Sequence, residues 1–173
     1  MVEKTIIANY GDGDLGKTKS VIMVYERLKE ISDKDENGVV KEETICKQKD
    51  LNGDICVILT VNNVKVGISS QGDPRSAQKW LMEELVNKEC QIILATCRYY
   101  GATTDVIQSY YPDYRIYWTC NARLYEHKTY PRIAPKGMCN RFNEQWATEI
   151  ANLIESWCYT GNDTVGNKNN TDT

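Results

Sequence analysis

The spacing of apolar residues in the first part of the chain predicts a strand followed by a helix. Thr5–Tyr10 is a short apolar run that stops at a glycine, which is typical of a buried strand. Apolar residues then recur every three or four positions, which predicts an amphipathic helix of about four turns that begins near Lys17. The residues that mark its apolar face are Val21, Val24, Tyr25, Leu28 and Ile31.

Two runs rich in β-branched residues follow, and their connection predicts a hairpin. The runs cover residues 54–61 and Val64–Ser69, and only Asn62 and Asn63 separate them. Asparagine tolerates a positive φ, as a two-residue hairpin loop requires. A third antiparallel strand is expected at residues 44–47, beside the hairpin.

The second half of the chain continues the alternation of strands and helices. Asp73 precedes a proline, and this pair predicts the start of a helix. Residues 90–96 form a nearly continuous apolar run, which is typical of a strand with helices on both faces of its sheet. A short helix at residues 103–110 and a strand at Arg115–Thr119 are expected next. A long C-terminal helix is marked by Phe142, Trp146, Ile150, Leu153 and Trp157.

Together these elements predict a single domain of the α/β class. The expected architecture is a three-layer, mostly parallel sheet with an antiparallel hairpin and with helices on both faces. The domain is expected to span residues 1–160, and residues 161–173 are polar and rich in asparagine, as disordered tails are. Residues 120–139 show no clear period and carry more basic than acidic residues, so they are interpreted as a solvated loop or a basic lid.

Composition and charge narrow the classes of function. The chain has 173 residues and a net charge of -3, which argues against nucleic acid as a partner. No apolar run is long enough to cross a membrane and the N-terminus lacks a signal-peptide pattern, so a cytoplasmic protein is expected. The seven cysteines include no C-x-x-C pair and only one histidine accompanies them, which argues against a zinc site.

One octapeptide carries the chemistry of the sequence. It fits the pattern G-x-x-x-x-G-K-[ST] at every fixed position with Gly11, Asp12, Gly13, Asp14, Leu15, Gly16, Lys17 and Thr18. A chance match is expected at roughly 0.7% from the content of Gly, Lys, Ser and Thr, so the match favours a function. In such a loop the backbone N–H groups surround a phosphate, and the positive end of the following helix adds attraction. Lys17 is then expected at the β- and γ-phosphates and the hydroxyl of Thr18 at Mg²⁺.

The octapeptide, between a predicted strand and a predicted helix, resembles the Walker A region of P-loop NTPases. The resemblance covers about the first 30 residues strongly and the rest only through the order of the elements. It implies binding of a nucleoside triphosphate with Mg²⁺, and hydrolysis or phosphoryl transfer. Asp12 and Asp14 depart from what a phosphate site favours, because they add two carboxylates; the alternative is that they form the turn and face solvent.

A carboxylate at the end of a strand is the second part that this chemistry needs. In small GTPases a strand at this place ends in D-x-x-G, whereas here Ser69 occupies the acidic position and Gly72 the glycine. Asp73 is the nearest carboxylate, and it is predicted to order Mg²⁺ or the attacking water. The alternative for Asp73 is an N-cap of the following helix, and Gln71 is a weaker candidate for orienting water.

Arg98 follows the strand at residues 90–96 and is expected at the same edge of the sheet as the phosphate loop. Its guanidinium is predicted to bind a phosphate or the transition state, and the alternative is a structural ion pair. Neighbouring tyrosines offer ring faces to a base or pack against helices; they are Tyr99, Tyr100, Tyr110, Tyr111 and Tyr114.

These residues favour a nucleotide-dependent function over the other classes. No N-K-x-D motif follows the late strands, so ATP is expected rather than GTP. The first hypothesis is an ATPase whose hydrolysis drives a change in conformation or in binding to a protein partner. The alternatives are a small phosphotransferase acting on a nucleoside or another small molecule, and a nucleotide-binding module without turnover.

Overall fold

The computed structural model describes residues 2–11, 16–46, 53–73, 75–121, 125–127, 131–133 and 136–160. The loop residues Asp12, Gly13, Asp14 and Leu15 therefore lie outside the described part, as do the tail at 161–173 and much of the segment at 120–139. The described strands are β1 (Thr5–Tyr10), β2 (Glu42–Cys46), β3 (Cys56–Val61), β4 (Val64–Ser69), β5 (Ile92–Cys97), β6 (Arg115–Thr119), β7 (Tyr125–His127) and β8 (Pro131–Ile133). The described helices are α1 (Lys17–Ile31), α2 (Arg75–Asn87), α3 (Ala102–Gln108) and α4 (Lys136–Thr160).

Six of the described strands form one sheet in the order β2-β3-β4-β5-β1-β6. Strands β4, β5, β1 and β6 run parallel to one another, and β3 is antiparallel to both β2 and β4. Strands β7 and β8 pair with each other in a separate two-stranded sheet. This arrangement confirms the predicted α/β class, the mostly parallel sheet and the antiparallel hairpin.

The turn of the hairpin forms for the reason that the sequence indicates. Asn62 has φ 48° and Asn63 has φ 62°, which are left-handed values that asparagine adopts more readily than most residues. The carboxylate of Asp33 accepts hydrogen bonds from both backbone amides, at 2.9 Å from Asn62 N and 2.8 Å from Asn63 N. The loop is therefore held from the end of α1 as well as by its own conformation.

The strands bury alternate residues on the two faces of the sheet, as a pleated strand requires. In β1, Ile6 and Ala8 pack with residues of α2 and α3, whereas Ile7 packs with residues of α1 and α4 on the other face. Both faces of the sheet are thus covered by helices. This explains why five of the six residues of β5 are apolar and why all six, including Thr96, are buried.

The direction of the strands places several chain segments at one edge of the sheet. The carboxyl ends of β1, β4, β5 and β6 lie at this edge because these strands are parallel. Strand β3 runs the other way, so its beginning lies at the same edge; Cys56 of β3 is opposite Ser69 of β4. The order and direction of the strands therefore decide which side chains at this edge can contact one another.

Several element boundaries differ from the predicted ones by a few residues. Helix α2 is described from Arg75, after the Asp73-Pro74 pair that predicts its start, and Pro74 lies outside the described residues. Helix α4 begins at Lys136, before the first apolar marker of its periodic pattern. Within the predicted excursion at 120–139, Tyr125–His127 and Pro131–Ile133 pair as β7 and β8, and the start of α4 also falls there. None of the helices in the described part combines the length and the apolar character that a membrane span needs.

Tyr114 illustrates how a polar group is accommodated in this core. Its side chain is 1% exposed, and its hydroxyl donates a hydrogen bond of 2.7 Å to the backbone oxygen of Cys90. Burial raises the pKa of Tyr114 to about 12. Tyr114 is thus a core residue, and of the two uses considered for it, packing is the one that the structure shows.

We expect Tyr114→Phe to lower the free energy of unfolding by about 1–2 kcal/mol, because the buried oxygen of Cys90 loses its donor. Urea denaturation measures the change. The matched control is Tyr111→Phe, since Tyr111 is 72% exposed and its variant should unfold like the wild type. Equal unfolding free energies for the two variants would contradict this account of the core.

Candidate functional site

A cavity of about 1050 Å³ lies at the edge where the parallel strands end. Its walls bring together the four described residues to which the sequence assigns catalytic or metal-binding roles: Lys17, Thr18, Asp73 and Arg98. Gly16, Asp54 and Ser70 also line it. The cavity therefore contains the described end of the phosphate loop and the ends of β4 and β5.

Lys17 is the first residue of α1, and its side chain reaches back across the loop. The distance from Lys17 Nζ to the backbone oxygen of Gly11 is 2.7 Å. The ammonium group therefore lies between the two described ends of the loop, where the backbone of a phosphate loop would surround a phosphate. This placement agrees with the role that the motif predicts for Lys17.

Gly16 is required at its position for two reasons. Its φ of 73° is left-handed, which a residue with a Cβ rarely adopts. A Cβ at this position would also lie 2.6 Å from Nδ2 of Asn143 in α4. The close approach of α4 to the loop therefore depends on the second glycine of the motif.

The first turn of α1 favours an anion. Lys17 and Lys19 lie in this turn and no acidic residue does. The unpaired N–H groups at a helix N-terminus carry partial positive charge, which adds to the charge of the two lysines. Cys97 also lines the cavity, but burial raises the pKa of its thiol to about 11, so it stays neutral at pH 7.

Asp54 is a site residue that the sequence reasoning missed. Its Oδ1 accepts hydrogen bonds from Thr18 Oγ1 and from Ser70 Oγ, each at 2.7 Å. The hydroxyl of Ser70 in turn accepts the backbone N–H of Ile55 at 2.9 Å. Asp54 thus ties the second residue of α1 to the end of β4.

The direction of β3 is the signal in the sequence that could have indicated Asp54. A search for a carboxylate at the carboxyl end of a strand skips Asp54, because Asp54 precedes β3. In an antiparallel hairpin, however, the beginning of the first strand lies beside the end of the second. The predicted hairpin could therefore have indicated Asp54, which lies two residues before the partner of Ser69.

Asp73 and Arg98 face each other in the cavity wall. Oδ2 of Asp73 accepts a hydrogen bond from Nε of Arg98, and the two side chains are 45% and 47% exposed. The structure thus forms the ion pair that was the alternative for Arg98. The carboxylate of Asp73 is therefore bonded to the guanidinium of Arg98, whereas the carboxylate bonded to the Thr18 hydroxyl is that of Asp54.

Buried hydrogen bonds fix the floor between β4 and β5. Thr96 Oγ1 donates to the backbone oxygen of Ser70 at 2.6 Å, and Nε2 of Gln78 donates to the backbone oxygen of Thr96 at 2.6 Å. Gly72 passes close by, since a Cβ there would lie 3.0 Å from Thr96 Oγ1. The segment that carries Gln71, Gly72 and Asp73 is therefore anchored to β5 and α2.

A hydrogen-bond network of buried amide side chains holds the start of α1, where the loop after β1 ends. Oδ1 of Asn121 accepts a hydrogen bond from Nδ2 of Asn9 at 3.0 Å. Nδ2 of Asn121 donates to Oγ of Ser20 and to Oδ1 of Asn143, the latter at 3.0 Å. All four residues are buried. They connect β1, α1, α4 and the segment after β6, so the start of α1 is held against three other elements.

The polar groups around Thr18 are of the kind that Mg²⁺ prefers. They are the hydroxyls of Thr18 and Ser70 and the carboxylate of Asp54, all of them oxygen donors. No group of three or more His, Cys, Asp or Glu side chains suited to a metal occurs among the residues that the structure describes. Mg²⁺ commonly binds through one or two protein oxygens together with waters and substrate phosphates, which is the set that this site could offer.

Comparison of the chain with models of known protein families, with curated proteins and with solved structures finds no match in any of the three.

Proposed function

We propose that this protein binds a nucleoside triphosphate with Mg²⁺ at the loop between β1 and α1 and hydrolyses it, with ATP preferred over GTP. One observation carries the proposal. Lys17 and Thr18 lie in the first turn of α1 inside a large cavity, and a carboxylate, Asp54, is bonded to the Thr18 hydroxyl. This combination supplies a cation for phosphates and oxygen ligands for a metal within one helical turn.

The phosphates bind through charge and backbone amides. Lys17 Nζ already lies across the loop, 2.7 Å from the oxygen of Gly11, so a small movement transfers it to a phosphate oxygen. The amides at the start of α1 contribute further hydrogen bonds. Because the protein places no carboxylate in the first turn of α1, the attraction for the triphosphate is not offset there.

Mg²⁺ is held by Thr18 and by phosphate oxygens in this proposal. The metal supplies charge that neutralises the β- and γ-phosphates. Asp54 positions the Thr18 hydroxyl and adds negative charge on the metal side of the site. Ser69 stands at the end of β4 where small GTPases have an acid, and Asp54, just before β3, supplies a carboxylate in its place. A nucleotide-binding module without turnover was an alternative because that acid was missing, so Asp54 weakens this alternative.

Hydrolysis requires a water on the side of the γ-phosphorus opposite the leaving group. We assign the binding of this water and of the γ-phosphate to Asp73 and Arg98, which lie in the cavity wall. The water oxygen forms a bond to the γ-phosphorus as the bond from that phosphorus to the bridging oxygen breaks. One water proton stays on the hydrogen phosphate product, the other is released to solvent, and the nucleoside diphosphate leaves with the bridging oxygen. Asp73 accepts a hydrogen bond from the water, and Arg98 stabilises negative charge on the transferred group. Their mutual ion pair keeps both groups oriented before the substrate binds.

The preference for ATP rests on the segment after β6. Asn121 stands where a guanine-reading motif would follow the strand, but both atoms of its amide group bond to buried protein groups. Its amide is therefore committed to the support of the loop, and guanine gains no partner there.

A phosphotransferase is the second candidate, and the extent of the cavity favours it. Beyond the phosphate-binding residues the cavity continues along α1 past Met23, Glu26 and Glu30. This stretch has room for a small acceptor next to the phosphate site. Phosphate release in the absence of any acceptor supports hydrolysis, whereas turnover that requires an added nucleoside or other small alcohol supports the transferase.

We expect Lys17→Ala to lower the affinity for Mg-ATP, or the turnover, at least tenfold without loss of the fold, because a charge-assisted contact to the phosphates is removed. Calorimetric titration and circular dichroism measure the two effects. Lys79→Ala is the matched control, since it removes the same charge from an exposed ion pair on α2. Identical ATP binding by the wild type and Lys17→Ala would refute the proposed site.

Asp54 and Asp73 are predicted to affect different steps. Asp54→Asn should weaken nucleotide binding about tenfold in the presence of Mg²⁺ and barely change it in EDTA, because the negative charge beside the metal is lost. Asp73→Ser should leave affinity unchanged and lower hydrolysis about a hundredfold, as loss of a group that orders water does.

The control for both variants is Asp105→Asn, an exposed residue of α3, which should behave like the wild type. Full hydrolysis by Asp73→Ser together with reduced stability would assign Asp73 to capping of α2 instead. An Asp54→Asn variant that binds nucleotide equally well with and without Mg²⁺, as tightly as the wild type, would remove Asp54 from the metal side of the site.

A further inference from the structure

Four aromatic side chains form a continuous row beside the phosphate loop. Ring centroids are 6.1 Å apart for Trp118 and Tyr10, 5.4 Å for Tyr10 and Tyr99, and 6.3 Å for Tyr99 and Tyr100. Trp118, Tyr99 and Tyr100 are 40%, 61% and 80% exposed. We call these four residues the aromatic row. So much exposed ring surface in one place is typical of a binding surface rather than of a core.

The sheet places the row directly at the loop. Tyr10 is the last residue of β1, and Gly11, whose oxygen contacts Lys17, follows it immediately. Trp118 lies on the neighbouring strand β6, where it is opposite Ala8. Tyr10 and Trp118 project from the same face of the sheet, since Tyr10 packs with the cluster that includes Ala8 and Ile116. Tyr10, a member of the row, is thus next in the chain to Gly11, the first residue of the phosphate loop.

The order of the strands also gives the site a direction. Asp54 and Ser70 lie at β3 and β4, on one side of the loop, and they bond to Thr18 or to one another. Tyr10 and Trp118 lie at β1 and β6, on the other side of β5. A nucleotide with its terminal phosphate near Thr18 and Asp54 that extends across the loop, away from β4, therefore brings its base to the aromatic row.

The chemistry of the row suits a planar heterocycle. Every nucleobase has a π-face that can stack on Tyr or Trp without regard to its hydrogen-bond pattern. The hydroxyl of Tyr10 is a neutral group near neutrality, and its interaction with Cys120 raises its pKa further above the ordinary value. Arg98, which precedes Tyr99 in the chain, is paired with the carboxylate of Asp73.

We propose that the aromatic row binds the base of the nucleotide, with Trp118 as its principal stacking surface. This inference rests on the proposed function, because it extends the same site from the phosphates to the base. Stacking increases with ring area, so purine nucleotides bind more tightly than pyrimidine nucleotides, and the row contributes nothing to the binding of a ligand that has phosphates but no base.

The test compares Mg-ATP with magnesium tripolyphosphate, which has the same phosphate chain and no base. Trp118→Leu should weaken binding of Mg-ATP about tenfold and leave binding of tripolyphosphate unchanged, whereas Trp118→Phe should recover most of the affinity for ATP. Trp80→Leu is the matched control, since Trp80 is an exposed tryptophan on α2 with 46% exposure, and it should not change binding of either ligand.

Tryptophan fluorescence provides a second readout on the folded proteins. ATP should quench the emission of the wild type and of Trp80→Leu, the quench should be absent in Trp118→Leu, and tripolyphosphate should produce none. Trp118→Leu that binds ATP as the wild type does, or that loses affinity for both ligands equally, would overturn the base site. A wild type that binds neither ligand would overturn the proposed function itself, and tripolyphosphate binding that depends on Lys17 would retain it.

Discussion

A single carboxylate oxygen, Oδ1 of Asp54, joins helix α1 to the end of strand β4. Thr18 and Ser70 both donate to it at 2.7 Å. A carboxylate that accepts two hydroxyl hydrogen bonds holds both donors more firmly than a neutral acceptor would, because the charge strengthens each bond. The start of α1 is therefore fixed relative to the sheet at the point where the loop between β1 and α1 ends, and the rest of the site is arranged around that point.

The charges of the site are separated in a way that fits a polyanion bound with a cation. Lys17 lies across the loop, Asp54 lies on the side of β3 and β4, and Asp73 is neutralised by Arg98. The described part of the site thus has positive charge at the loop and a carboxylate on the side of β3 and β4. The buried amides of Asn9, Asn121 and Asn143 supply rigid support without adding charge, and the carboxylates of Glu26 and Glu30 lie further along the cavity.

The fold was largely predictable because each element has a local signal. The apolar period of α1, the Asn62-Asn63 turn and the continuous apolar run of β5 each depend on neighbouring residues alone. The motif at residues 11–18 was recognisable for the same reason, since its fixed glycines, its lysine and the preceding strand lie within one short segment; its role in binding phosphate stays a prediction. Asp73 and Arg98 were correctly expected in the cavity because both follow parallel strands.

Asp54, Asn121 and the aromatic row depend on contacts between residues far apart in the chain. Asp54 meets Thr18 only because β3 is antiparallel, and Asn121 meets Ser20 only because β6 lies next to β1. The sequence alone leaves open which tyrosines are exposed, and burial separates Tyr114 from Tyr99. Such residues become predictable only once the order of the strands is known.

The proposed triphosphate site at the start of α1 is tested by a crystal structure with a non-hydrolysable ATP analogue and Mg²⁺. We expect Lys17 Nζ to leave the oxygen of Gly11 for a phosphate oxygen, the Thr18 hydroxyl to lie on the metal, and Asp54 to stay beside Thr18. An analogue bound elsewhere, with Lys17 still on Gly11 and Thr18 away from the metal, would contradict it.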